Sequence, residues 1–90
     1  MEFEWDSIKA AQNLRKHKVS FNEAATVFGD FLSATTADPD HSLDEDRFVL
    51  VGVTHVGRLA VVAHTARAGS VRIINARLAT GRERKTYENS

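Results

Sequence analysis

Apolar and polar residues recur along the chain in patterns that mark out short helices and strands. "FEWD" near the N-terminus alternates apolar and acidic residues and predicts a strand. Asp6 is a good N-cap, and it predicts a helix that begins at the next residue and ends near Lys16. Ile8, Ala11 and Leu14 lie on one side of that helix, so they predict a narrow apolar stripe that packs on a sheet.

A second, shorter helix follows. Ser20 and Glu23 have the spacing of a capping box, in which each side chain binds a free backbone N–H at the helix start. Apolar residues then follow the i, i+3, i+4, i+7 spacing of an amphipathic helix: Phe21, Ala24, Ala25 and Phe28. Gly29 and Asp30 are expected to end this helix.

The sequence from residue 31 to residue 77 predicts a series of strands. "FLSATTA" is rich in residues that favour strands, and three runs with many β-branched residues follow: "RFVLVGV", "RLAVVAHT" and "SVRIINAR". Short loops around Gly57 and Gly69 join these three runs, which predicts an antiparallel meander. The acidic segment "DPDHSLDED" after "FLSATTA" predicts a polar turn.

Thr80 and Glu83 have the spacing of a second capping box and predict a last helix that ends near Glu88. The predicted order is therefore β-α-α-β-β-β-β-α. Ninety residues suffice for one modest hydrophobic core. We therefore expect a single α+β domain, residues 1–90, with the helices packed against a twisted antiparallel sheet.

The composition is that of a globular chain, with 42% hydrophobic and 27% charged residues and no cysteine. The lack of cysteine excludes disulfides, thiolate nucleophiles and thiolate metal ligands, and it is consistent with a reducing cytoplasm. No apolar run approaches the length of a membrane span. We therefore expect a soluble, cytoplasmic protein with no membrane partner.

The formal net charge is zero, but the charges are divided between the two halves of the chain. Residues 1–46 carry four Lys/Arg against ten Asp/Glu, whereas residues 47–90 carry eight against two. Such a division favours a basic surface that binds an anion. It is equally consistent with two halves that neutralise each other in the fold.

The four histidines, at positions 17, 41, 55 and 64, lack the spacing of a zinc site, and the common phosphate-binding and nucleophile motifs are absent. We therefore expect neither a metal nor a cofactor. His55 is expected in a solvated hairpin turn, and His64 is expected to have a hydrogen-bonded structural role. His17 follows Lys16 at a helix end, where it is either a cap favoured by the helix dipole or an acid/base group.

The last strand and helix carry the other candidates. Arg77 ends the strand, and Arg84 and Tyr87 share one helix face, with Glu83 four residues before Tyr87. An arginine can bind phosphate through two N–H groups, and a tyrosine can stack on a base or transfer a proton. The spacing alone favours a simpler interpretation, a solvated helix with Glu–Arg pairs.

Three segments together resemble the BrnT family of toxins from bacterial type II toxin–antitoxin pairs, which is related in fold to RelE-type ribonucleases. They are "FEWDSIKAAQNLRKHKVSFNEAATVFGD", "DPDHSLDEDRFVLVG" and "RIINARLATGRERKTYE", and they cover most of the chain. The resemblance implies a small RelE-like domain and an endoribonuclease that cleaves RNA and inhibits translation. Lys18 departs from the family pattern, which usually has glycine after the Lys-His pair.

A mechanism consistent with these residues and with the resemblance gives each candidate a role. Arg77, with Arg72 or Arg67 nearby, would bind the scissile phosphate and stabilise its charge in the transition state. Lys16 would support the phosphate charge. His17 would be either the general base for the ribose 2′-OH or the general acid for the leaving 5′ oxygen.

The remaining candidates come from the last helix. Tyr87 or Glu83 would take the second proton-transfer role, and Arg84 would position the substrate. Arg82 and Lys85 would complete the RNA-binding surface. The products would be a 2′,3′-cyclic phosphate and a 5′-hydroxyl, and no metal would be needed.

The resemblance further implies a BrnA-like antitoxin with a ribbon-helix-helix DNA-binding part. The complex would repress its own operon, so operator DNA would be bound only through the complex. Two other functions are consistent with the sequence. One is a non-catalytic module that binds nucleic acid or a partner, and the other is a toxin of the same fold that acts on a protein such as DNA gyrase.

Overall fold

The computed structural model describes residues 1–38 and 46–89. Their elements follow the predicted order: β1 (Glu2–Glu4), α1 (Ser7–His17), α2 (Phe21–Ala25), β2 (Ala34–Ala37), β3 (Arg47–Val53), β4 (Leu59–Arg67), β5 (Ser70–Leu78) and α3 (Gly81–Glu88). A 3₁₀ turn, Thr26–Gly29, continues α2. Most of the segment predicted as a polar turn, with His41, lies outside the described residues.

The five strands form one mixed sheet in the order β1-β5-β4-β3-β2. The predicted antiparallel meander is confirmed for β2 to β5, in which consecutive strands pair with each other. The expectation of a wholly antiparallel sheet is wrong for β1, which runs parallel to β5 and pairs with Ser70–Arg72. β1 is followed by helices rather than by a hairpin, so no tight turn forces it to reverse.

Helices α1 and α2 cover one face of the sheet, and the hydrophobic core lies between them and the strands. Phe21 and Val27 are buried from the helical side, and Leu50, Val62 and Ile73 from the strands. Smaller side chains complete the core: Val19, Ala24, Ala60 and Ala76. The apolar face predicted for the second helix is therefore confirmed.

The apolar stripe predicted for α1 is wrong. Ile8 is 69% exposed and Leu14 is 49% exposed, whereas the polar Asn13 is buried at 6% exposure. The reason lies in the sheet edge against which α1 packs. β1 pairs only with Ser70–Arg72, so the backbone groups further along β5 need other hydrogen-bond partners. A polar side chain is therefore favoured at the centre of the helix.

The two predicted capping boxes have different outcomes. The box at Thr80 is complete, because Thr80 Oγ1 accepts from the Glu83 backbone N–H and the Glu83 carboxylate accepts from the Thr80 backbone N–H. At Ser20 only half of the box forms. Ser20 Oγ accepts from the Glu23 backbone N–H, but the Glu23 carboxylate binds Arg58 instead. A guanidinium is the stronger donor because it is charged.

Candidate active site

An open cleft of about 690 Å³ lies where α1 meets β5, and it extends over the sheet face opposite the core. We call it the α1–sheet cleft. Its floor is apolar and its walls are mostly polar or charged. It is lined by Lys9, Gln12, Asn13, Lys16, His17, Thr36, Asp38, Arg47, Val49, Val61, Ala63, Ile74, Asn75, Arg77 and Glu83.

A β-bulge in β5 determines which residues reach this cleft. Ala63 pairs with Asn75 and His64 pairs with Ile73, so Ile74 has no partner across the ladder. Ile73 faces the core, and strict alternation would place Arg77 on the same face. The extra residue reverses the alternation, so Ala76 is buried and Arg77 lines the cleft.

Asn13 attaches α1 to β5 at the position next to Arg77. Its Nδ2 donates to the backbone carbonyls of Ala76 (2.8 Å) and Val19 (2.9 Å), and its Oδ1 accepts from the Ala76 N–H at 3.1 Å. The side-chain amide therefore acts as a short extension of the sheet edge. Each net hydrogen bond of this kind is worth about 1 kcal/mol. The contact fixes how far the residues of α1 lie from Arg77.

Arg77 and Glu83 form a bidentate ion pair at one end of the cleft. Arg77 Nη1 donates to Glu83 Oε1 and Nη2 donates to Oε2, both at 2.8 Å. The Arg77 guanidinium and the backbone N–H of Thr80 hold the pKa of Glu83 at about 2. The same pair raises the pKa of Arg77. Glu83 is therefore ionised at neutral pH and has no proton to donate.

The Glu83 carboxylate occupies only one side of the guanidinium. Arg77 has five N–H donors, and Glu83 and the Leu78 carbonyl accept from Nη1 and Nη2. Within residues 1–38 and 46–89, nothing accepts from the Nε–H of Arg77. The Nε–H and the second N–H of Nη2 form a side-on fork of the kind that binds phosphate oxygens.

His17 and Lys16 are placed at the cleft by the C-terminus of α1. His17 is half-buried, and Lys16 is exposed. The helix ends at Lys18, which has a φ of 62° and whose carbonyl accepts from Arg58 Nη2 at 2.9 Å. Arg58 is in turn paired with Glu23, which is a strong anchor because its side chain is only 11% exposed. The turn after His17 is thus held by Arg58 at the Lys18 carbonyl and by Asn13 at the Val19 carbonyl.

Tyr87 and Arg84 lie outside this cleft. The Tyr87 hydroxyl donates to Asp30 Oδ2 at 2.7 Å, and this bond raises the pKa of Tyr87 and lowers the pKa of Asp30. Arg84 is exposed, and its Nη1 lies 3.8 Å from Oε2 of Glu88 within α3. The structure therefore does not bring either side chain together with His17.

The other predicted RNA-binding residues are spread over the surface. Arg72 is paired with Glu4 at the start of β5, and Arg67 lies at the exposed end of β4, so neither is beside Arg77. Arg82 and Lys85 are exposed on α3, on a shallow surface outside the cleft. The pairing of Arg72 with Glu4, like that of Arg58 with Glu23, joins the basic half of the chain to the acidic half.

Sequence reasoning missed several residues of the cleft. Lys9, Gln12 and Lys16 have the i, i+3, i+7 spacing of one helix face, which is a signal that could have identified Lys9 and Gln12. The spacing of Asn75 and Arg77 on a strand offers a similar signal for Asn75. Nothing local in the sequence identifies Arg47, because its place at the cleft follows from the pairing of β3 with β4.

The structure gives the remaining histidines structural or solvated positions. His64 is buried between Phe28 and Phe48, and its Nδ1 lies 3.2 Å from the Val62 carbonyl. Burial lowers the pKa of His64, as expected for a structural residue. His55 is exposed in the hairpin, as predicted.

No three His, Cys, Asp or Glu side chains within residues 1–38 and 46–89 are grouped so that they could hold a metal ion. In the same part of the chain, no helix is long and apolar enough to cross a membrane.

Comparisons with known proteins agree on one family. Residues 5–83 match the family model described as the ribonuclease toxin BrnT of type II toxin–antitoxin systems. The fold is similar to the crystal structure of the Brucella abortus ribonuclease toxin BrnT, with a TM-score of 0.67 and 25% sequence identity. That match covers 89% of this chain and 97% of the Brucella chain. No curated protein sequence matches the chain.

Proposed function

This chain belongs to the BrnT family of ribonuclease toxins from type II toxin–antitoxin systems, and on that premise we propose that its α1–sheet cleft binds and cleaves RNA. One observation carries the proposal. His17 and Lys16 from α1 and Arg77 from β5 line one cleft, although they are far apart in the sequence. A proton-transfer group beside two cations fits the acid–base and charge-stabilising parts of RNA cleavage without a metal.

The proposed reaction is an intramolecular transfer at phosphorus. The ribose 2′ oxygen loses its proton to a base and forms a bond to the adjacent phosphorus, while the bond from phosphorus to the 5′ oxygen breaks. An acid protonates the leaving 5′ oxygen. The products are a 2′,3′-cyclic phosphate and a 5′-hydroxyl, and His17 performs one of the two proton transfers because an imidazole both accepts and donates protons.

Charge stabilisation is assigned to Arg77 and Lys16. The side-on fork of Arg77 can bind two phosphate oxygens while its other side stays on Glu83. Lys16, which is exposed on α1, adds a second positive charge to the cleft. Donors fixed before the reaction stabilise the extra negative charge of the transition state without reorganisation.

The geometry changes the roles proposed for Glu83 and Tyr87. With a pKa of about 2, Glu83 supplies no proton at neutral pH, so we assign it the orientation of Arg77. The proton transfer that His17 does not perform is then made to or from water in the open cleft. Tyr87 is bound to Asp30 outside the cleft, so we assign it the attachment of α3 to the loop before β2. Three cations of α3 are assigned to contacts with RNA beyond the cleft: Arg82, Arg84 and Lys85.

The test is cleavage of end-labelled RNA by the purified protein with EDTA present. The proposal predicts new ends with 2′,3′-cyclic phosphate, and a loss of about 100-fold or more in cleavage rate for His17→Ala and for Arg77→Ala. His55→Ala is the matched histidine control, and Arg15→Ala is the matched cation control, because both residues are exposed and outside the cleft. Cleavage that persists in both cleft variants would refute the proposed site. Cleavage that occurs without EDTA and is abolished by EDTA would refute the independence of metal.

A type II toxin has an antitoxin as its partner. We propose that this antitoxin is BrnA-like, with a ribbon-helix-helix DNA-binding part, and that the toxin inhibits translation in the cytoplasm until the antitoxin binds it. Co-expression and size-exclusion chromatography test the pairing. Operator DNA should be retarded in a gel by the complex and not by the toxin alone.

A further inference from the structure

Two amide side chains in the α1–sheet cleft are left without a role by the phosphate chemistry. Asn75 is exposed on β5 and faces the cleft, and Gln12 faces it from α1. Within residues 1–38 and 46–89, neither side chain makes a hydrogen bond to another residue. Asn13, by contrast, is buried, and both of its N–H donors and its amide oxygen are bonded to backbone groups. The amides of Gln12 and Asn75 are therefore available to a ligand.

The fold brings these two amides into the same cleft. Asn13 and Ala76 are joined by two hydrogen bonds, and Gln12 and Asn75 are their respective neighbours in sequence. Asn75 is two residues from Arg77 on the same strand, about 7 Å at 3.3 Å per residue. A nucleotide whose phosphate lies on Arg77 therefore has its base within reach of Asn75.

The surface beside the amides is suited to the face of a base. Val49, Ala63 and Ile74 line the cleft floor next to Asn75, and all three are only partly buried. A cleft of about 690 Å³ is within the range of about 300–1,000 Å³ typical of small-molecule sites. An apolar floor with a few converging polar groups is the usual composition of such sites.

We propose that Asn75, assisted by Gln12, reads the edge of one nucleobase of single-stranded RNA that lies on this floor beside the scissile phosphate. The inference rests on the proposed function and deepens it, because it names an unpaired substrate and a base preference at one position. An amide presents both a donor and an acceptor, as the edges of bases do. A base in a duplex has its Watson–Crick edge occupied, whereas an unpaired base exposes it.

The experiment compares three proteins on a pool of short RNAs that carries each base at each position. The wild type is expected to prefer one base at a single position next to the cut, by about 10-fold or more. In Asn75→Ala that preference should fall by at least about 5-fold, because cleavage of the preferred sequence drops towards that of the others. Asn22→Ala removes an exposed amide outside the cleft and should keep the preference.

A second variant separates recognition from loss of packing. Asn75→Asp keeps the shape of the side chain but only accepts hydrogen bonds at neutral pH. Guanine offers two neighbouring N–H donors on its Watson–Crick edge, so the preference at the same position should move towards guanine. Unchanged melting temperatures of both Asn75 variants would show that the fold is intact.

Binding of the same RNAs, measured by fluorescence anisotropy, separates this inference from the proposed ribonuclease site. Base-dependent binding without any cleavage would refute the ribonuclease site and support the base subsite. Cleavage with a preference that both Asn75 variants leave unchanged would refute the subsite and support the ribonuclease site. The absence of both binding and cleavage would refute both.

Discussion

Lys18 ends α1 in a backbone conformation that does not suit a lysine. Its φ of 62° lies in the left-handed region, in which a side chain costs about 1 kcal/mol relative to glycine. This conformation gives a physical reason to expect glycine, and not lysine, after the Lys16–His17 pair. The Lys18 ammonium donates to the Arg15 carbonyl at 3.0 Å, but that contact is exposed and weak.

We predict that Lys18→Gly stabilises the protein by about 1 kcal/mol, which raises the melting temperature by about 4–8 °C in a domain of this size. Arg15→Gly is the control, because it places the same residue within α1 and should lower stability by about 1 kcal/mol. Thermal unfolding followed by circular dichroism measures both. A melting temperature for Lys18→Gly at or below that of the wild type would contradict the interpretation.

The Arg77–Glu83 pair predicts a pH dependence at a single residue. The pKa of Glu83 is about 2 in the folded protein, below its ordinary value of 4.5, so ionised Glu83 stabilises the fold above pH 4.5. This contribution is lost as the pH falls from 4.5 to 2. A fully buried pair would contribute about 3 kcal/mol. Side chains that are 38% and 31% exposed are screened by water, so we expect about 1 kcal/mol.

Glu83→Gln should therefore reduce the free energy of unfolding by about 1 kcal/mol at pH 7, and the difference from the wild type should close towards pH 2. Urea unfolding at a series of pH values measures this difference. Glu88→Gln changes an exposed carboxylate in the same helix and should have little effect at any pH. A difference for Glu83→Gln that is as large at pH 2.5 as at pH 7 would exclude the ion pair as its cause.

At the scale of elements, the contact between α1 and β5 depends on one buried amide. Asn13→Ala would leave two carbonyls and one N–H without partners in a place that water does not reach freely. We predict a loss of about 2–4 kcal/mol in the free energy of unfolding. Faster hydrogen exchange of the Ala76 amide should accompany it, since its acceptor is gone.

The matched control for Asn13→Ala is Gln12→Ala. Gln12 is exposed and makes no hydrogen bond within the described residues, so its removal should change stability by no more than about 0.5 kcal/mol. Equal losses for the two variants would show that the bonds to β5 do not explain the effect, because alanine favours the helix at both positions.

At the scale of the whole molecule, a protein of zero net charge presents cations at one cleft. The cleft is lined by more cations than carboxylates, whereas Arg58 and Arg72 are paired with glutamates elsewhere. The charged residues of its lining are Lys9, Lys16, Arg47 and Arg77 together with Asp38 and Glu83. The basic and acidic halves of the chain therefore neutralise each other in some places, whereas the cleft is a basic surface that can bind an anion. The distribution of charge, and not its sum, determines how RNA binds.

If about three cations contact phosphates, the logarithm of the RNA binding constant should fall with the logarithm of salt concentration with a slope of about −2. Lys16→Ala should reduce the magnitude of this slope by about 0.7. Arg15→Ala removes the neighbouring positive charge outside the cleft and should leave the slope unchanged. Anisotropy titrations with short RNA between 50 and 300 mM KCl test this, and equal slopes for all three proteins would contradict it.

The candidate site was predicted only in part from the sequence. Four of the residues predicted to be catalytic line the α1–sheet cleft, as a shared site requires, whereas Tyr87 does not: Lys16, His17, Arg77 and Glu83. The spacing that placed Tyr87 and Arg84 on one face of α3 was a correct local inference. It did not reveal that Asp30, which is distant in sequence, holds the tyrosine hydroxyl.

The helices and strands of this protein follow from its local sequence, because caps and apolar periodicity act within a few residues of each other. The Thr80–Glu83 box, the α2 face and the three long strands are examples. Which side chains meet, by contrast, depends on how distant segments pack. The bulge at Ile74 turns Arg77 from the core to the cleft, and Asn13 is buried because an incomplete sheet edge needs its amide. These outcomes depend on hydrogen-bond partners far away in the chain, and no local pattern of residues specifies them.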